Sequence, residues 1–273
     1  MNLTFFKTDI ELFRAEIRKV WGFPILELAV GLIALISISS VQTVQQIVIQ
    51  PDFQATFVSD IAESLSSVLN QQILFLGLLC GILISLSFAR DYEQGLIQTL
   101  LSSPVSRFSI FIVKFFAVVL PLALLAWGIN SLVIFLNYYS DATATLTILG
   151  LMGEALPFML LMFMFCGGLA TLVALTIRKT IPSALAIMAI TFFAWFITQL
   201  KAEAIGSLAE YLVLTPFKAP LISLGRILGT QYLPMTLEAT LPAWNFIVLA
   251  IVYALMFLIP MYLYFTRRFE VRE

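Results

Sequence analysis

Six apolar stretches, at 23–41, 73–88, 110–136, 148–175, 181–200 and 243–265, constrain this chain more than any motif does. At 1.5 Å of rise per helical residue, about 20 apolar residues match a hydrocarbon core about 30 Å thick. The stretches therefore predict an all-α integral membrane protein with six transmembrane helices in a single domain spanning 1–273. Composition agrees. The chain is 61% hydrophobic and 11% charged, against about 25% charged for a soluble domain. Its mean hydropathy is +1.01, and 24 of its 273 residues are Phe. A net charge of −1 without any basic run gives no reason to expect nucleic acid as a partner.

The segments between the spans carry their own patterns. In residues 1–20, Phe6, Ile10, Phe13, Ile17 and Val20 recur at spacings of four and three, with Lys7, Glu11, Arg14 and Arg18 on the other side. That spacing predicts an amphipathic helix lying in the headgroup plane, in contact with lipid, rather than a cleavable signal peptide. Trp21 falls at the expected membrane boundary, where indoles concentrate. Residues 42–72 are Gln-rich and acidic, and part of them, Phe57–Leu69, has helical spacing suited to the outer surface. Gly77 and Gly81 form a small-xxx-small pair that permits close helix approach, expected here within the subunit. Residues 201–242 hold two amphipathic pieces, Ile205–Leu214 and Pro220–Leu228, too short to span and expected to lie flat or as a re-entrant pair.

Orientation follows from charge. Placing the N-terminus, 89–114, 176–180 and the tail on the inside puts 12 of the 15 Lys and Arg there, leaving Lys201, Lys218 and Arg226 outside. Positive-inside bias then predicts six spans in the plasma membrane with both termini cytoplasmic.

The chemistry of an enzyme is missing. There is no His, G-x-S-x-G, H-E-x-x-H or Cys cluster, and Cys80 and Cys166 both fall inside spans as inert thiols. No G-x-x-x-x-G-K-[ST] is present to cradle a nucleotide's phosphates. Glu27 and Lys114 stand out as charges within spans, each near an end. Glu27 is open to two readings, a solvated or snorkelling carboxylate and a group on a substrate path. Lys114 is expected to reach back to the interface. So few intramembrane charges supply an ion-coupled transporter poorly.

The remaining informative stretch is the polar one from Phe88 to Arg107. Tyr92, Glu93, Leu96, Ile97, Leu100 and Leu101 fall on adjoining helix faces, an apolar stripe with an acidic end that suits a groove on a soluble partner. A helix over 91–103 is expected to stop before Pro104. Gly95 inside it costs about 1 kcal/mol relative to Ala, so a bend or close approach is expected there. The order Glu93-Gln94-Gly95, Leu100-Leu101, Ser103-Pro104-Val105-Ser106-Arg107, then Lys114, resembles the permease family of type-2 ABC exporters. Leu96 and Gln98 stand where that family often has Thr and Glu.

The resemblance implies a permease subunit whose 91–103 coupling helix engages an ATPase made as a separate chain. It implies Tyr92, Glu93, Gly95, Leu96, Leu100, Leu101, Pro104 and Arg107 as the coupling residues. It also implies two ATPase subunits, which carry the ATP and Mg, and a second permease half, identical or related. No cofactor is expected in this chain. A hydrophobic or amphipathic cargo suits the apolar path. The alternatives are an ion- or proton-coupled secondary transporter and a membrane scaffold without transport.

Overall fold

The computed structural model describes residues 3–48, 57–102, 105–138, 142–199, 216 and 243–267, and they are almost wholly helical, with no strand among the described residues. In chain order the elements are α1 (Leu3–Val20), α2 (Ile25–Val48), α3 (Phe57–Ile84), a π-helical turn (Ser85–Ala89), α4 (Arg90–Glu93) and α5 (Leu96–Ser102). They continue with α6 (Arg107–Tyr138), α7 (Ala142–Ile177), α8 (Thr180–Gln199) and α9 (Ala243–Arg267). Among the described residues, four helical stretches, in α2, in α3 with its continuation, in α6 and in α7, are long and apolar enough to cross a membrane. The apolar parts of α8 and α9, Thr180–Phe196 and Ile247–Leu263, are shorter. The proposed pieces at Ile205–Leu214 and Pro220–Leu228, and the tail beyond Arg267, lie outside the described residues.

One expectation is corrected at once. Phe57–Leu69 is not a separate surface piece but the first half of α3. No Gly or Pro interrupts 57–76, and Leu65, Val68, Leu69, Gln72, Ile73 and Leu76 all bury at helical spacing. A continuous buried stripe holds the helix through the polar residues that suggested a loop.

Helix α7 packs against α3, α6, α8 and α9, while α2 packs against α3 and α6. Small residues set the closest approaches, as expected where lipid removes the hydrophobic drive for association. A Cβ on Gly81 would come within 2.3 Å of Ile187 Cγ2, so α3 meets α8 there, inside the chain. A Cβ on Gly167 would come within 2.8 Å of Val119 Cγ2, and one on Gly168 within 3.1 Å of Phe257 Cβ. These neighbours let α7 lie between α6 and α9. At one end of the bundle Phe88, Phe111, Phe115 and Phe265 form an aromatic core, with Phe111 and Phe265 centroids 5.6 Å apart.

Two polar devices lock the helices. Pro121 inside α6 has no N–H to give the carbonyl four residues earlier. That carbonyl, Ala117 O, accepts instead from Trp21 Nε1 at 3.0 Å. Trp21 is buried, so the indole is a pin between the end of α1 and α6. Between α2, α3 and α6, Gln72 and Asn130 exchange amide hydrogen bonds at 2.9 Å in both directions. Gln72 Nε2 also donates to Ser37 Oγ at 2.6 Å. Each of the three side chains is buried, and each finds a partner, as an interior polar group must.

Candidate functional site

At the end of the bundle where α1, the π-helical turn, α4 and the start of α6 converge, four charged side chains from three distant segments meet. Lys114 is fully buried. Its ammonium has three N–H donors, and three acceptors surround it: Glu16 Oε1 at 2.7 Å, Ser87 O at 3.1 Å and Asp91 Oδ2. The other Asp91 oxygen accepts from Lys19, whose stem is partly exposed. Two cations and two carboxylates balance to zero, which is the condition for keeping such groups out of water. The second oxygen of Glu16 and the hydroxyl of Ser87 have no hydrogen-bond partner.

This cluster overturns one sequence reading and amends another. Lys114 does not reach back to the interface; a nearer pair of carboxylates holds it inside. The inner face of α1 keeps Ile17 and Val20 from the stripe that its hydrophobic spacing marks, but it also takes in Glu16 and leaves Ile10 outside. Ile10 is half exposed, while Glu16 and Val20 are buried with Leu12 and Ile17 against the core. Glu16, Lys19 and Asp91 were not among the expected site residues. The signal for them was present: a lysine four residues into an apolar run requires a counterion, and Glu16 and Asp91 are the acids flanking such runs. A further charge within a span, Glu154 on α7, is exposed, as is Glu27 in the first turn of α2.

The segment after Asp91 is not one helix over 91–103. It breaks at Gly95, whose φ of +70° is a left-handed conformation that glycine adopts without a Cβ penalty. Helix α4 ends there and α5 begins at Leu96. The break divides the expected apolar stripe: Ile97 is buried, Leu100 packs partly buried against the core, and Leu96 faces outward, 45% exposed. Arg107 opens α6 on the surface, one residue after Ser106, whose hydroxyl caps the helix by accepting from Ser109 N–H at 3.0 Å. Pro104 and the side chain of Leu101 lie outside the described residues.

Tyr92 and Glu93 point to the turn between α7 and α8. Arg178 adopts a positive φ of 59° to make that turn, a conformation costly for a residue with a Cβ. Its guanidinium donates to Tyr92 Oη at 2.6 Å and lies 4.7 Å from the ring centroid. Glu93, on the surface, accepts from Thr180 Oγ1 at 2.7 Å and from Thr180 N–H at 3.0 Å, capping α8 from across the bundle. Those two bonds from Thr180, the hydroxyl's first, hold the Glu93 carboxyl below the ordinary carboxylate range, with nearby Lys179 acting in the same direction. The short segment is therefore tied by Asp91 to α1 and α6, and by Tyr92 and Glu93 to α7 and α8.

Long apolar helices packed through small residues, with charge gathered at one end, define a multi-pass helical membrane protein. The family model described as ABC-2 family transporter protein matches residues 12–199, from the ion-paired half of α1 to the end of α8. The chain belongs to that family, whose members are membrane components of ABC transporters. Comparison with curated proteins gives no match.

Proposed function

We propose that the chain is the permease half of an ATP-driven exporter, and that α4 and α5 form the lug on which a separately encoded ATPase subunit docks. The observation that carries this reading is the double character of the segment. Its rim, Glu93 and Leu96, is exposed, while its roots, Asp91 and Ile97, are buried in the bundle. A push on the rim passes to α1 and α6 through the Lys114 cluster and to α8 through Thr180. In this reading both termini and the lug are cytoplasmic at the plasma membrane, and α8 and α9 complete six spans. Two permease halves, identical or related, work with two ATPase subunits, which hold the ATP and Mg. The cargo is hydrophobic or amphipathic.

Leu96→Asp is the variant of choice, because the exposed side chain carries little of the fold. The full chain should insert normally and lose its co-purifying ATPase, or retain it with ATP turnover no longer stimulated by transport. Normal co-purification together with normal coupled turnover would remove the lug from the mechanism.

A further inference from the structure

We propose that an anionic phospholipid binds at the junction of α4 and α8, its phosphate between Arg90 and Lys179 and its acyl chains along α8. An open groove of about 530 Å³ separates the two segments, lined by both cations and by Leu86, Glu93, Ile181 and Pro182. Arg90 and Lys179 are exposed, and neither joins an ion pair among the described residues. Glu93 also faces the groove, but its carboxylate is occupied by both donors of Thr180. The three charges sum to +1, so an anion is the complementary occupant.

The apolar side of the groove says which anion. Ile181 begins a stripe on α8 that continues through Leu185, Phe192 and Phe196 at helical spacing, all of them exposed, Ile181 by 73% and Leu185 by 61%. A cationic cleft opening onto an apolar runway on a membrane helix fits a headgroup with its chains attached. Arg178 does not compete for the headgroup, because its guanidinium is committed to Tyr92. The inference does not depend on any ATPase partner.

The test compares the purified full-length chain in detergent with phosphatidylglycerol and phosphatidylcholine of matched acyl chains, binding being read by native mass spectrometry. The wild type should prefer phosphatidylglycerol. Arg90→Gln combined with Lys179→Gln should weaken that binding roughly 30-fold, from about 1 kcal/mol per cation near an anionic lipid. Arg14→Gln with Arg18→Gln, which removes exposed cations from α1 instead, should leave the preference in place. Equal binding of the two lipids, or a preference that survives loss of Arg90 and Lys179, overturns the site. So does displacement by inorganic phosphate at concentrations equal to the lipid's, which would mark a free-anion site. If the double variant loses a co-purifying protein while its lipid binding is unchanged, the groove is a protein-docking surface and the proposal fails.

Discussion

Lys114 and Glu16 lie 98 residues apart and meet at 2.7 Å, with Lys114 closed off from solvent. The pair fastens the end of α1 to α6, and Asp91 brings the segment that follows α3 to the same point. Removing one member of a buried ion set leaves the others uncompensated, at a cost of about 3–5 kcal/mol. Lys114→Met should destabilise the protein by that order in a denaturant titration in detergent. Lys114→Met with Glu16→Leu should be milder than Lys114→Met alone, since it removes a carboxylate that would otherwise lack its cation. A double variant at least as unstable as the sum of the two single variants would show that the contact contributes no coupling.

The bond from Trp21 to Ala117 exists because Pro121 leaves that carbonyl without its helical donor. Trp21→Phe should cost about 1–3 kcal/mol, the usual penalty for a buried acceptor left unpaired. The loss should shrink in a Pro121→Ala background, where residue 121 regains an N–H for the same carbonyl. Thermal unfolding of the four proteins in one detergent measures the effect. An identical cost of Trp21→Phe in both backgrounds would assign the whole loss to indole packing.

What the sequence disclosed and what it hid divide along a physical line. The helices themselves are legible because bilayer thickness imposes a length on apolar runs, and the spans at 110–136 and 148–175 fall within α6 and α7. The break at Gly95 is legible from glycine's cost in a helix. The ion cluster is legible only by half: Lys114 inside an apolar run calls for a counterion, but hydrophobic spacing does not put Glu16 on the buried face of α1. Only the three-dimensional meeting with Lys114 reverses that. The same holds for Gln72, which looks like part of a polar loop until Asn130 appears opposite it. Polar residues are buried by their partners, and partners distant in sequence leave no local period.

Gly81 and Ile187 test how closely α3 and α8 are fitted. A methyl group at 81 would fall 2.3 Å from Ile187 Cγ2, well inside van der Waals contact. Gly81→Ala should therefore destabilise by about 1–3 kcal/mol, the usual range for overpacking. Ile187→Ala removes the obstructing methyl, and although it opens a cavity when made alone, it should recover part of the loss in the Gly81→Ala protein. Strictly additive effects of the two changes on unfolding would mean that the helices separate to accept the methyl elsewhere.

The Glu93 cap on α8 gives a dependence on pH with a definite sign. Hydrogen bonds from Thr180 lower the folded-state pKa of Glu93 from its ordinary value of 4.5. A carboxylate depressed in this way contributes stability that is fully present above the unfolded-state pKa and lost as pH falls through the folded one. The wild type should keep the cap at neutral and mildly acidic pH and lose it only below the ordinary carboxylate range. Glu93→Gln can still accept from Thr180 but has no charge to titrate. Its stability relative to wild type should therefore be lower at pH 7 and converge on the wild-type value as the pH is taken below about 4. Unfolding midpoints of the two proteins across that range decide the matter. A difference that stays constant with pH would mean that the charge on Glu93 makes no contribution and that the amide simply fits the site less well.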